Sequence, residues 1–289
     1  MALRSIDPAD PTAEGHPYLS VVRDPAFPSA IRALAEPARI SVVIPTLNEE
    51  RNIAWVMDRI PTFVDEVVLV DGRSHDRTIE VALAVRPDLV VVREPEPGKG
   101  VALRSAFAAA TGDIIVMLDA DGSMEPGEIE RFVDAIKDGA DVVKGSRFLP
   151  GGGSIDISRV RRLGNVGLLG LANVLYRTGF SELCYGYMAF RRSCLPRLGL
   201  RSTGFEIETE IVVRAIRAGL EIREVPSFEA HRRYGTSHLR TFRDGWRVAR
   251  TLMSERFRPA LEELDILLEP PAIAFLPVSA EEAQVRQES

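Results

Sequence analysis

Two aspartates one residue apart, Asp119 and Asp121, close the apolar run Ile114-Ile115-Val116-Met117-Leu118 and precede Gly122. Five consecutive bulky or β-branched residues read as a buried central strand. Carboxylates at its carboxyl end lie where open α/β sheets bind ligands. Neighbouring carboxylates repel unless water or a cation stands between them. A hard divalent ion completed by substrate phosphates is the usual partner. The competing reading is a surface turn with two solvated side chains. A second acidic pair, Glu208 and Glu210, stands at the start of a helical pattern, where the macrodipole alone favours acids. Arg147, Arg191 and Arg232 lie on unrelated segments, and the planar guanidinium fork suits phosphate. Lys99 sits on a turn between Gly98 and Gly100.

The elements that must position these residues follow from the pattern. Ile40 to Pro45 reads as a short buried strand stopped by proline, followed by a helix from about Arg51 to Ile60. Val67 to Val70 is a second strand ending at Asp71-Gly72. Ser74 and Asp76 supply turn and capping oxygens for a helix over 77–85. A third strand over 89–92, a helix over 101–110 and the strand 114–118 continue the alternation, which indicates a parallel sheet with right-handed crossovers. The pattern then predicts a helix over 126–138 with Ile129, Phe132, Val133 and Ile136 on one face, a strand over 140–145 and a glycine-rich flexible loop over 150–154. Helices over 162–177 and 204–218, a strand within 183–191 and an edge strand over 221–226 complete the body. Over 241–257, Phe242, Trp246, Ala249, Met253 and Phe257 recur at helical spacing among Arg240, Arg243, Arg247, Arg250, Arg256 and Arg258. This basic amphipathic helix either packs on the domain or lies on a membrane surface.

Bulk properties narrow the class. The chain has 289 residues, 45% hydrophobic and 27% charged, with a formal charge of −6, ordinary for a globular protein and without the basicity that points to nucleic acid. Cys184 and Cys194 form no disulfide framework or metal-ligand pattern, which suits a reducing cytoplasm. No secretory leader is visible. The apolar stretch 163–176 is shorter than the roughly 20 residues a membrane span needs. The expected division is an irregular proline-rich arm over 1–38, a catalytic domain over 39–240, the basic helix over 241–258 and an acidic, partly disordered tail over 259–289.

Taken in order, the motifs resemble inverting family 2 glycosyltransferases. Val42-Val43-Ile44-Pro45-Thr46-Leu47-Asn48-Glu49 is similar to that family's first strand and turn, and Val70-Asp71-Gly72-Arg73-Ser74-His75-Asp76-Arg77-Thr78 to its second motif. Gly98-Lys99-Gly100 and Leu118-Asp119-Ala120-Asp121-Gly122 follow. Gly145-Ser146-Arg147, Gly186 to Arg191, Glu208-x-Glu210 and Arg232 to His238 resemble the branch that includes dolichyl-phosphate mannose synthase. The resemblance spans about residues 40–240 and implies a GT-A fold, a GDP- or UDP-linked hexose donor and Mg²⁺ or Mn²⁺ at Asp119 and Asp121. It places Pro45, Leu47, Glu49 and Asp71 around base and ribose. It puts Lys99 near base or diphosphate and Arg147, Arg191 and Arg232 near donor or acceptor phosphate, with Ser237 among the substrate-binding residues. Asp121, Glu210 and Arg232 are the expected catalytic residues; Glu208 or Glu210 would serve as general base toward a hydroxyl acceptor, whereas a phosphate acceptor needs none.

Four positions depart from the family pattern: Ser123 replaces a common glutamine, Glu182 an aspartate, Met188 an arginine and His238 a lysine. The arginine loss weakens the case for a phosphate acceptor. Polyprenyl phosphate, with the protein peripheral on an anionic inner leaflet, is nonetheless the expected acceptor; a soluble acceptor is the alternative. A nucleotidyltransferase would carry a glycine-rich basic loop after the first strand, where Pro45-Thr46-Leu47-Asn48-Glu49 is acidic and glycine-free. A non-catalytic nucleotide-sugar binder would not need Asp119, Asp121, Glu210 and Arg232 together.

Overall fold

The computed structural model describes residues 19–21, 37–155, 157–236 and 240–258. Its organising element is a mixed sheet in which β2 (Ile40–Thr46), β3 (Glu66–Asp71), β4 (Val90–Arg93) and β5 (Ile114–Met117) run parallel. The helices between them are α1 (Ile53–Arg59), α2 (Thr78–Val85) and α3 (Lys99–Ala109). Beyond β5 the sheet changes character. β8 (Met188–Arg191) enters antiparallel between β5 and β6 (Val142–Ser146), and β6 pairs in parallel with β9 (Ile222–Pro226). A short strand β1 (Leu19–Val21) pairs antiparallel with β9, giving the order β1-β9-β6-β8-β5-β2-β3-β4. This is the α/β, GT-A-like architecture expected.

The period-2 pleat divides the core between the two faces. Val42, Ile44, Leu69, Ile114 and Val116 pack with α1 and with Ile129, Phe132, Val133 and Ile136 of α4 (Ile129–Lys137). Val43, Val68, Val70, Ile115 and Met117 pack on the other face with α3 and, beyond the short helix α6 (Leu195–Leu198), with α7 (Ile207–Arg217). Both faces of the central strands are covered, which is why they read as uninterrupted apolar runs.

Three expectations change. The strand over 222–226 is not an edge, because β1 covers it; part of the segment read as an irregular arm therefore joins the sheet. The glycine-rich loop is pinned: β7 (Gly153–Ser154) pairs in parallel with β10 (Phe228–Glu229), and the Ser154 hydroxyl donates to Glu229 Oε2 at 2.5 Å. The last helix, α8 (Thr241–Phe257), packs against α7 and α5 (Arg159–Tyr176), but through Asp244, Val248, Leu252 and Glu255. The Phe242, Trp246, Met253 and Phe257 stripe faces outward. Asp244 accepts the Arg240 N–H at 2.7 Å and Glu255 pairs with Arg214 at 3.0 Å, so charged residues can line the buried side. No described helix is long and apolar enough to cross a membrane. The tail over 259–289 lies outside the described residues.

The loop after β3 is held as its sequence suggested. Asp76 Oδ1 accepts from the Thr78 N–H at 3.1 Å and hydroxyl at 2.5 Å, and Oδ2 from the Glu50 N–H at 3.1 Å. Burial pushes the Asp76 carboxyl up, but these hydrogen bonds outweigh it and hold the pKa below its ordinary value. Asp76→Ala is expected to cost about 1 kcal/mol of unfolding free energy. The difference from wild type should be full above the ordinary pKa of 3.8 and vanish as pH falls through the lower folded value. Urea titrations of both proteins at neutral and acid pH check this.

Candidate functional site

The carboxyl ends of β2, β3 and β5 converge on a cleft of about 550 Å³. Pro45, Thr46, Leu47, Glu49 and Gly72 line it. So do Lys99, Asp119, Ala120 and Asp121, and so do Arg147, Arg161, Asn165, Glu229, Arg240 and Arg243. In the sheet β5 lies between the β2–β3 pair and the β8–β6 pair, which sets the Asp119–Asp121 turn between the segments that follow β2 and β3 and Arg147 after β6.

The Asp119-Ala120-Asp121 turn is tightly built. Leu118 N–H donates to Val43 O at 3.2 Å, prolonging the ladder to the edge of the turn. Asp121 Oδ1 accepts from Ser123 N–H at 2.9 Å, and Asp121 O accepts from Arg233 N–H at 3.2 Å. Gly122 has φ of 74°, and a Cβ there would meet the Arg233 and Trp55 side chains. The segment after β10 thus folds over the turn and delivers Arg232.

Each aspartate is paired. Lys99 Nζ lies 2.7 Å from Asp119 Oδ1 and 2.7 Å from Glu208 Oε1. Arg232 spans Asp121 Oδ2 and Glu49 Oε1, each at 2.9 Å. Burial alone would lower the Lys99 pKa, but Asp119 and Glu208 drive it above the ordinary lysine value. Burial raises the Glu208 carboxyl, with Asp119 adding to the effect and Lys99 opposing it. Burial likewise raises Glu49, against hydrogen bonding from Asn52 and the charge of Arg232.

A hard divalent cation fits this donor set. Both aspartate side chains are reachable, 30% and 14% exposed, and both already stand where positive charge is stabilised. Among the described residues no three potential ligands cluster, so two carboxylates would share the ion with ligand oxygens and water, the arrangement typical of Mg²⁺.

The structure gathers Pro45, Leu47, Glu49, Lys99, Asp119, Asp121, Arg147 and Arg232 in the cleft. Asp71 is buried beside cleft-lining Gly72; its Oδ2 accepts from Ser74 N–H at 3.0 Å and its Oδ1 has no partner. Two expected residues lie elsewhere. Glu210 is not a cleft residue: its carboxylate accepts the Arg201 and Ser202 N–H groups and pairs with Arg214 at 2.9 Å. Successive residues on a helix are about 100° apart, so neighbours two apart face different sides, and Glu208 is the one that reaches the cleft. Arg191 is likewise structural, donating to Ala140 O and Ile136 O at 3.0 Å each and pairing with Asp141 at 3.6 Å. Ser237 and His238 lie outside the described residues.

Arg147 lines the cleft but is bound by two carboxylates, Glu182 at 2.6 Å and Glu229 at 2.8 Å. These acids, against an opposing burial effect, raise its pKa above the ordinary arginine value. Arg161 and Arg240 have no carboxylate partner among the described residues. The sequence pattern passed over Arg161 and Glu229, and it placed Arg240 and Arg243 only on a basic helix. Their convergence depends on α5 and α8 meeting, which no local pattern encodes. Cys184 also lines the cleft, but burial, with Glu208 next, pushes its thiol up to about 12, so no thiolate nucleophile is present at neutral pH.

Residues 41–199 match glycosyl transferase family 2. The chain is 33% identical over 227 residues to the dolichyl-phosphate hexose transferase of Haloferax volcanii, covering 76% of this chain and 96% of that one. It is 34% identical over 224 residues to the low-salt glycan biosynthesis hexosyltransferase Agl6 of the same organism, covering 74% of this chain but 53% of the relative. It thus spans only about half of that longer protein. Among solved structures, glucosyl-3-phosphoglycerate synthase from Mycobacterium tuberculosis in complex with Mn²⁺, UDP and phosphoglyceric acid superposes with a TM-score of 0.62 at 27% identity, over 78% of this chain and 80% of that one.

Proposed function

Because the chain belongs to glycosyl transferase family 2, we propose that its cleft binds a nucleotide sugar and transfers the hexosyl group, with inversion, to an acceptor bearing an anionic group. The carrying observation is that Asp119 and Asp121, beyond the end of β5, line one cleft together with residues after β2 and β3 and with Arg161 of α5 and Arg240 and Arg243 at the start of α8.

Under this reading Asp71, Glu49 and Leu47 hold base and ribose. The unpartnered Asp71 Oδ1 accepts a ligand N–H or O–H, relieving the roughly 1–3 kcal/mol cost of a buried unpaired acceptor. Mg²⁺ or Mn²⁺ at Asp119 and Asp121 would supply positive charge for the diphosphate leaving group. The fork of Arg232, already seated beside Asp121, adds two donors toward the same oxygens. Arg161 and Arg240 receive the acceptor's anionic group. Arg147, neutralised by Glu182 and Glu229, positions Glu229 for the acceptor instead of binding phosphate itself. For a hydroxyl acceptor the base comes from Glu208 or Glu229, both at the cleft, and not from Glu210.

The solved structures support a soluble acceptor. The similar structures include a complex with phosphoglyceric acid, so a small phosphorylated hydroxy acid comes first. Polyprenyl phosphate is the second reading, supported by the similarity to a dolichyl-phosphate hexose transferase and by one feature of the surface. Phe242 (86% exposed), Trp246 (72% exposed), Met253 and Phe257 are exposed on α8, as are Leu163, Val166 and Val174 on α5, which packs against it. The exposed charges on these two helices are all arginine, since Asp244 and Glu255 are buried and α5 has no acid. In a chain of net charge −6, an apolar and purely cationic face beside the cleft mouth suits an anionic leaflet.

The decisive assay offers UDP- and GDP-hexoses with Mn²⁺ to the full chain, with either small phosphorylated hydroxy acids or polyprenyl phosphate in anionic vesicles. Acceptor-dependent release of nucleoside diphosphate is expected, with the anomeric configuration of the product read by NMR. Release of hexose 1-phosphate, the leaving group of attack on the α-phosphate, would instead identify nucleotidyl transfer. The lipid reading also requires co-sedimentation with anionic vesicles that the double variant Phe242→Ser/Trp246→Ser loses.

A further inference from the structure

The two aspartates of the cleft are held in the same manner. Asp119 shares Lys99 with Glu208, and Asp121 shares Arg232 with Glu49. Each is a carboxylate–cation–carboxylate bridge in which one acid belongs to the Asp-x-Asp turn and the other stands behind the cation. The six formal charges sum to two negative.

The lysine's position is built into the backbone. Gly98, at φ 128°, lies against the Thr203 carbonyl, and Gly100 against that of Ser202; a Cβ at either would collide with main chain. The Gly100 N–H donates to Thr203 O at 3.0 Å. A Cβ at Gly186 would stand 2.9 Å from Glu208 Oε1 and 3.3 Å from Lys99 Nζ. Three glycines thus leave room for the ammonium to sit between Asp119 and Glu208. An ion pair at 2.7 Å, mostly withdrawn from water, competes with any cation approaching the same oxygen.

We propose that Lys99 and Arg232 are placeholders for the divalent cation, so that metal and nucleotide diphosphate enter the cleft as a coupled pair. A metal arriving alone must strip Lys99 from Asp119 and Arg232 from Asp121 and leave each cation with its second acid only. When the diphosphate arrives too, its oxygens re-pair the displaced ammonium and guanidinium. Glu208 and Glu49 are the resting partners that keep each cation seated during the exchange. The chain therefore binds divalent metal weakly until a nucleoside diphosphate is present. This inference rests on the metal reading of the Asp119–Asp121 pair given above.

The test measures Mn²⁺ affinity by the EPR signal of free Mn²⁺, on the full chain, without nucleotide and then with saturating UDP or GDP. In wild type the nucleotide should tighten Mn²⁺ binding by at least about tenfold. Lys99→Met should tighten nucleotide-free Mn²⁺ binding by about tenfold and shrink the nucleotide's effect correspondingly. Arg161→Met removes a cleft cation that pairs with neither aspartate and should leave nucleotide-free affinity close to wild type. Thermal melts establish that each variant is folded, and Lys99→Gln is the replacement should the methionine variant fail to fold. Unchanged nucleotide-free affinity on loss of Lys99, or an equal gain in Arg161→Met, overturns the placeholder assignment while leaving the metal site standing. Absence of Mn²⁺ binding to wild type even with nucleotide overturns both.

Discussion

Asp121→Ala is expected to abolish transfer, with kcat/KM falling by about 10³-fold or more, the scale seen when a charge-stabilising group is removed from a developing anion. Two losses coincide. A ligand of the proposed divalent cation disappears, and Arg232 loses the partner 2.9 Å away that aims its second nitrogen into the cleft. The fold should survive. Asp121 holds the loop mainly through one hydrogen bond to Ser123 N–H, worth about 1 kcal/mol, and Arg232 keeps Glu49. Nucleoside diphosphate release, measured with excess Mn²⁺ and again with excess chelator, checks the claim. Substantial activity in chelator, for variant or wild type, would remove the metal from the proposal.

The second large effect is on stability and lies away from the cleft. Arg214 is fully buried in α7 and touches Glu210 at 2.9 Å, Glu255 at 3.0 Å and the Leu198 carbonyl at 2.9 Å, with Gly199 O also accepting from it. Its removal takes away the buried cation that two buried carboxylates share, leaving Glu210 with only the Arg201 and Ser202 N–H groups and Glu255 with only the less buried Arg217 and Arg258; breaking a buried ion network from one side costs about 3–5 kcal/mol. Arg214→Ala should therefore show the larger fall in urea midpoint and melting temperature. Glu210→Gln should weaken the fold more mildly and leave kcat/KM per folded molecule unchanged. A selective loss of turnover in Glu210→Gln, with stability intact, would restore that glutamate to the active site.

What could be read from the chain alone divides along physical lines. Strands β2 to β6 and helices α1 to α4 were legible because each is written locally: an apolar run, a proline or glycine stop, a capping oxygen such as Asp76. The Asp119–Asp121 pair was legible for the same reason, since a polar signal at the end of a buried strand survives any tertiary arrangement. Arg191 and Glu210 were misplaced because motif position says which residues recur, not which way a side chain turns. Helical phase alone separates Glu208 from Glu210. The apolar stripe of α8 was visible, but its orientation was not, because the buried side of that helix is closed by Asp244 and Glu255 through ion pairs and a helix cap, not by hydrophobicity. Arg161 and Arg240 carry no local mark, and only the meeting of α5 and α8 brings them to one wall.

The place of β8 in the sheet has a consequence for how the molecule is assembled. β5 and β6 never pair directly; β8 bridges them. On a ribosome, strands β2 to β5 can zip together once Met117 has emerged, whereas β6 must wait for Met188–Arg191 to be synthesised. The residues proposed to hold base and ribose are thus laid down early, by contiguous sequence, while Arg232 arrives late. The wall that carries Arg161 and Arg240 is closed by segments made later and far apart. Inheritance can rework such a late wall, exchanging one sugar recipient for another, without disturbing the earlier residues.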